Sequence, residues 1–251
     1  MDDFWRVNTL QNREYGQTAW LSHFCHTLQI STFIGGILKM KAIETHYNGY
    51  KFRSRLEARW AVFFDAAGIE YQYEPEGFVI KPCYGEDSAY LPDFYLPKFD
   101  IYAEVKGSDE QLKNDSGKIM DAIDFMQTPM SEKGLILLGD IPYKNPNEEK
   151  IPLFYMLSWH KGVVTGYCTF VYFFKSRAPH AFLQSATDFR EGEDWLGYSN
   201  YWNGEMLIPT SVRCNWIDVE KADQGIDVVR TMAPYEKARQ ARFEHGERPE
   251  A

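Results

Sequence analysis

Apolar positions recur at helical spacing through residues 52–67. Leu56, Trp60, Phe63, Phe64 and Ala67 fall at i, i+4, i+7, i+8 and i+11, a single broad stripe that predicts a helix from Phe52 to Ala67. Gly68 stands where a glycine would end it. From Glu70 to Ile80 the pattern turns aromatic and β-branched (Tyr71, Tyr73, Phe78, Val79, Ile80) with interruptions at Pro75 and Gly77, which predicts one strand carrying a kink or bulge. Lys81–Ser88 reads as a turn-rich loop. Ala89–Leu96 and Asp100–Lys106 predict two short strands joined at Pro97-Lys98-Phe99. Beyond Gly107, the positions of Leu112, Ile119, Met120, Ile123 and Met126 predict a second helix, over about 110–127 and ending near Pro129. Gly134-Leu135-Ile136-Leu137-Leu138-Gly139 is a continuous apolar run between glycines, as a buried strand requires.

The order helix, strand, strand, strand, helix, strand predicts an α/β core. Its expected form is a mixed central sheet of at least four strands within 69–140, flanked by helices. Residues 1–39 show no sustained period of 3.6 or 2 and read as a poorly ordered extension; 40–145 form the core. Residues 146–251 read as a C-terminal α+β elaboration. Within it, Leu153–Trp159 and Val163–Phe174 are strand-like, 180–204 mixes a short helix with loops, and 206–219 holds another strand. Pro234 suits an early helical position, and Tyr235–His245 predicts a terminal helix stopped by Gly246.

Composition narrows the classes. Hydrophobic residues at 44% and charged residues at 25% describe a chain that folds rather than a disordered one. No apolar run approaches the ~20 residues that span a bilayer, so no membrane partner is expected. The four cysteines (Cys25, Cys83, Cys168, Cys214) are scattered with no C-x-x-C pair, which suits reduced thiols in a cytoplasm. Ser22-His23-Phe24-Cys25-His26 is too weak a pattern to carry a metal site. A net charge of −9 excludes a protein that coats nucleic acid through an overall basic surface. It leaves room for a nuclease with a local basic patch, and equally for an acidic mimic of DNA.

The chemistry sits in Leu91-Pro92-Asp93-Phe94-Tyr95 and Tyr102-Ala103-Glu104-Val105-Lys106-Gly107. On a strand Tyr102, Glu104 and Lys106 share one face, and Ala103 and Val105 share the other, where they are fit to pack under a helix. A hairpin partner would bring Asp93 beside Glu104. Hydrolysing a phosphodiester requires neutralisation of the phosphate, an activated water and help for the departing oxygen. A hard dication such as Mg²⁺ takes carboxylate oxygens for that purpose. A nearby lysine can orient the water or stabilise developing charge. Glu57, beside the apolar stripe of the first helix, can point at the same centre. Arg53, Arg55 and Arg59 suit phosphate contacts, although the solvated face of an amphipathic helix would look the same.

At these residues the chain resembles the PD-(D/E)XK, restriction-endonuclease-like nuclease superfamily, and more narrowly its small phage and bacterial members. The resemblance runs from about Lys41 to Pro142, through the helix bearing Glu57, then Pro92-Asp93, then Glu104-Val105-Lys106. The closing 238–246 also looks like the terminal helix of those phage proteins. The resemblance implies a restriction-endonuclease-like fold with Asp93 and Glu104 binding Mg²⁺, Glu57 completing or supporting the metal site, and Lys106 assisting the water. Mn²⁺ would substitute, DNA is the implied substrate with RNA a further candidate, and a homodimer is compatible with it. A Gln-x-x-x-Tyr on the second helix, as in the RecB-like branch, is missing: four residues after Gln111 stands Asp115. The rival expectation is a catalytically inactive nuclease-like or acidic DNA-mimic binding module.

Overall fold

A computed structural model describes residues 43–81, 86–123, 128–143, 149–159, 166–175, 197–198, 209–222 and 225–243. The expected extension over 1–39, the Ser22–His26 pattern and nearly all of 180–204 lie outside them.

The chain is mixed α/β. A small ribbon, β1 (Thr45–Tyr47) with β2 (Tyr50–Phe52), leads into helix α1 (Arg55–Ala67). The helix begins three residues later than its apolar period suggests, because Phe52 ends β2 and Ser54 is the N-cap, its hydroxyl accepting from Glu57 N–H. Gly68 closes it at φ 72°, where a Cβ would be strained, and Ile69 N–H reaches Phe64 O at 2.8 Å.

The central sheet combines β3 (Gln72–Tyr73), β6 (Phe94–Leu96), β7 (Ile101–Val105), β8 (Leu135–Leu138), β9 (Lys150–Trp159), β10 (Gly166–Tyr172) and β11 (Gly197–Tyr198), with β12 (Asn215–Asp218) also pairing β9. Two further strands, β4 (Phe78–Ile80) and β5 (Ser88–Tyr90), form a separate ribbon. Within 69–140 the sheet therefore holds β3, β6, β7 and β8. It is mixed because β7 and β8 run parallel across α2 (Asp109–Ile123) and α3 (Pro129–Lys133), while β3–β6 and β6–β7 are antiparallel.

Two strand readings are corrected. Glu70–Ile80 is not one kinked strand: Glu74, at φ 45° before Pro75, turns the chain so that Tyr73 stays in the central sheet and Phe78 starts the ribbon. Ala89–Leu96 likewise divides between β5 and β6 at Pro92, which has no N–H to give a ladder. The second helix begins at Asp109 and its described turns end at Ile123. The terminal helix, α5 (Val228–Gln240), starts seven residues before Tyr235 on an Asp227 cap, with Pro234 inside it rather than near its start. A short α4 (Val219–Ala222) precedes it.

Alternation along the hairpin divides two cores. Phe94, Leu96, Ala103, Val105, Ile136 and Leu138 join α1 and α5 in one apolar cluster, in which the Phe63 and Tyr235 rings lie 4.3 Å apart. Tyr102, Leu135 and Leu137 join Leu112, Ile119 and Ile123 of α2 in the other. Each fully buried aromatic of α1 (Trp60, Phe63, Phe64) contributes roughly 1.5–3 kcal/mol by leaving water. Among the described residues no helix is long and apolar enough to cross a membrane.

Candidate active site

The β6–β7 ladder pairs Phe94 with Ala103 and Tyr95 with Tyr102, so Asp93, one step before the strand, comes opposite Glu104. The main chain holds it there: Val105 N–H donates to Asp93 Oδ2 at 2.7 Å, and Asp93 O accepts from Glu74 N–H at 2.8 Å. Both carboxylates are buried, Asp93 at 4% and Glu104 at 5% exposure. Burial pushes the Asp93 carboxyl well above the usual carboxylate range, and the negative charges of Glu104 and Glu57 push it further, against the pull of the Val105 N–H and of Arg53. The charge of Glu104 is thus felt at Asp93 across the β6–β7 pair.

Glu104 projects to the α2 side of the sheet. Its Oε1 lies 2.7 Å from Lys106 Nζ, and its Oε2 accepts from the buried Tyr90 hydroxyl at 3.0 Å. Desolvation raises this carboxyl too, opposed by the Lys106 ammonium and the Tyr90 hydroxyl. Lys106 is shared: Nζ also donates to Asp115 Oδ2 at 2.5 Å, from the second turn of α2. Burial alone would lower the ammonium, but Glu104 and Asp115 outweigh it and hold it above its ordinary value. The same helix face supplies Gln111, whose Oε1 accepts from Gly107 N–H at 2.8 Å. The position that departs from the RecB-like pattern is therefore the one that grips the lysine.

Glu57 is placed by its role in starting α1. Ser54-Arg55-Leu56-Glu57 has the spacing of a capping box and closes it in a variant way. Ser54 Oγ accepts from Glu57 N–H at 3.2 Å and donates to Glu57 Oε1 at 2.6 Å, and the backbone N–H that the carboxylate takes is that of Arg53, one residue before the cap. Glu57 Oε2 accepts from the Tyr73 hydroxyl at 2.6 Å and from Arg53 N–H at 3.1 Å. The carboxylate is thus fully engaged in ordering the chain around Arg53, although its charge is felt at Asp93. Arg53 enters the cluster itself, with Nη2 2.8 Å from Asp93 Oδ1 and Nε 2.6 Å from Glu74 Oε1. Arg55 and Arg59 lie partly buried along α1.

Sequence reasoning found Asp93, Glu104, Lys106, Glu57 and Arg53, and these five gather here. It missed Glu74, Tyr73, Tyr90 and Asp115. The Ser-x-x-Glu spacing of the capping box was a readable signal for Glu57's engagement. The other partners come from separate elements and leave no local pattern.

Among the described residues, no three His, Cys, Asp or Glu side chains are arranged to enclose a metal ion. The side chains of Arg53 and Lys106 stand against the carboxylates instead. The donor chemistry nevertheless fits a hard dication. Asp93 and Glu104 are buried oxygen donors whose charges repel, and a cation between such groups relieves both desolvation and repulsion. No protein-family model, curated protein or solved structure matches the chain.

Proposed function

We propose that the protein is a Mg²⁺-dependent nuclease of restriction-endonuclease-like fold that hydrolyses phosphodiester bonds, in DNA before RNA. The observation that carries the reading is the open end of the β6–β7 hairpin. There, two buried carboxylates from paired strands and a lysine two residues along one of them are held by neighbouring main-chain and side-chain groups. Surface ion pairs do not need such support; a constellation that must act on a reacting group does.

Asp93 and Glu104 would hold the dication, which supplies Lewis-acid polarisation of the scissile phosphate and of the attacking water. Lys106 does the remaining electrostatic work on the α2 side. Its ammonium, kept charged by Glu104 and Asp115, orients the water and stabilises negative charge as it develops on the phosphate. Tyr90 fixes the rotamer of Glu104, and Val105 N–H fixes that of Asp93. Glu57 acts at one remove, by setting the backbone that carries Arg53.

The test is cleavage of supercoiled plasmid and single-stranded DNA by purified protein in Mg²⁺, Mn²⁺ and EDTA. Metal-dependent products that disappear in Asp93→Asn and Glu104→Gln are expected. A protein inert toward DNA and RNA in both metals would retire the proposal. One observation favours a second reading, an inactive nuclease-like binding module: Asp93 and Glu104 already have cationic partners within the chain, at 2.8 and 2.7 Å. That reading expects no cleavage, and metal titrations that leave the melting temperature unchanged.

A further inference from the structure

The two cations of the cluster are held in unlike ways. Lys106 is nearly enclosed, its side chain 11% exposed, and has Asp115 as a second partner. Arg53 reaches in from the surface, its side chain 55% exposed, with its guanidinium across Asp93 and Glu74. Its base is anchored: Arg53 N–H is shared by Glu57 Oε2 at 3.1 Å and the Tyr73 hydroxyl at 3.0 Å. Asp93, by contrast, is 5% exposed along its side chain and is badly placed to stand without a counter-ion. The result is a charged tip on a fixed root, half in solvent, neutralising the carboxylate that the proposed chemistry assigns to a metal.

A guanidinium grips carboxylates and phosphates with the same planar fork. A dication at Asp93 and the Arg53 fork cannot both neutralise Oδ1 at close range, since they repel each other. We infer that Arg53 is an exchangeable counter-ion: it satisfies Asp93 in the metal-free protein, and a divalent cation displaces it onto a phosphate of the nucleic acid. Metal and polymer then bind with positive coupling. The protein takes up DNA productively only when its metal is loaded, and by linkage DNA tightens the metal by the same factor. The inference rests on the nuclease reading and adds to it an order of assembly. Lys106 cannot exchange in this way, because Asp115 retains it beside Glu104 when that carboxylate is given up.

The experiment uses the full chain with Ca²⁺, an oxygen-seeking dication of the same class, as the metal probe. A fluorescent DNA hairpin with a single-stranded tail serves as the polymer. In the wild type, Ca²⁺ should tighten DNA binding by about 5- to 150-fold, with reciprocal tightening of Ca²⁺ seen by calorimetry. Arg53→Gln should bind Ca²⁺ more tightly than wild type in the absence of DNA, and should lower the coupling factor, DNA affinity falling more with Ca²⁺ present than without it. Arg53→Lys keeps the charge but cannot span Asp93 and Glu74. It should shift both quantities in the same direction, and it serves if the glutamine variant melts too low to study. Equal weakening of DNA binding with and without Ca²⁺ would mark Arg53 as a fixed phosphate contact and overturn the exchange. So would an unchanged Ca²⁺ affinity in both variants. If the wild type cleaves DNA in Mg²⁺ alongside either result, the exchange fails and the nuclease reading stands. A wild type that binds no Ca²⁺ and cleaves nothing removes both.

Discussion

The two ends of the β6–β7 hairpin carry nearly the same side chains and differ in how much water reaches them. At the turn, Asp100 Oδ1 lies 2.7 Å from Lys133 Nζ and accepts from the Tyr95 hydroxyl at 2.6 Å. At the open end, Glu104 lies 2.7 Å from Lys106 Nζ and accepts from the Tyr90 hydroxyl at 3.0 Å. An acid, a lysine and a tyrosine occur in both. The side chains of the first pair are 49% and 33% exposed, those of the second 6% and 11%. Solvent screens the turn cluster, which trims a loop whose Asp100 sits at φ 55°. Desolvation makes the other cluster an energetic liability in the isolated chain, and liabilities of that kind are what bound metal or substrate can relieve. The same chemistry, moved about four residues along a strand, changes from surface trim to candidate catalytic machinery.

The sharpest break between the ends is expected from neutral carboxamides. Asp93→Asn and Glu104→Gln should each abolish metal-dependent cleavage while the fold survives. An Asn oxygen can still accept from Val105 N–H, and Lys106 retains Asp115 when Glu104 is changed. Asp100→Asn at the turn should leave cleavage intact and move stability by about 0–1 kcal/mol. Plasmid nicking and circular dichroism melts read both arms, and full activity in Glu104→Gln would remove the distinction.

Next in size is the lysine. Lys106→Met should lower turnover by about 10²–10³-fold without weakening the metal, the usual effect of losing one oriented charge in a water-poor site. Lys133→Met should not change turnover. Single-turnover cleavage with metal titrations separates the two effects.

The acid pair also predicts a pH dependence with a definite sign. Folding holds the Asp93 and Glu104 carboxyls above their unfolded value of roughly 4. Between the unfolded and folded values the native state keeps protons that the unfolded chain has lost. The stability from this source is therefore complete below about pH 4 and is lost as pH rises through the folded values. Urea melts in EDTA should show that decline, and Asp93→Asn should flatten it. Mg²⁺ at about 100 times its Kd should add about 2.7 kcal/mol at neutral pH, as for any ligand that binds only the native state. A metal increment that persists unchanged in the Asp93→Asn, Glu104→Gln double variant would place the ion elsewhere.

The smallest effect is expected at Glu57. Glutamine keeps one acceptor oxygen for the Ser54 cap but cannot also accept from both the Tyr73 hydroxyl and Arg53 N–H, so Glu57→Gln should cost about 1–2 kcal/mol. Cleavage should fall about 10-fold through a loosened Arg53 backbone, the lower end of what removing a supporting group does. A loss as deep as that of Asp93→Asn would make Glu57 a direct ligand.

Much of this was legible before the fold was known, for identifiable reasons. The α1 stripe, its glycine stop, the β6–β7 hairpin and the β8 run are local patterns in which a few neighbouring residues carry the whole signal. The divisions at Glu74 and Pro92 were misread because β-propensity runs across both sites, and only the choice of sheet partner separates Tyr73 from Phe78, or Tyr90 from Phe94. The early start of α5 was hidden by Pro234, which suits a first helical turn and here sits inside the helix.

The sequence by itself determined which residues can carry charge and chemistry on one strand face, since alternation puts Tyr102, Glu104 and Lys106 together whatever surrounds them. It also placed Asp93 on the partner strand of a hairpin with Glu104, but the register that sets the two opposite each other came with the fold, where Asp100 joins the turn and Leu96 pairs Ile101. Only the tertiary structure decided what those groups would meet. Tyr90, Asp115, Glu74 and the Arg53 fork arrive from four other segments, and burial by α1 and α2 removes the water that would otherwise screen them. The physical reason is range. Strand alternation acts over two residues and turn chemistry over four, whereas the desolvation that separates the two ends of the hairpin depends on every element packed around them.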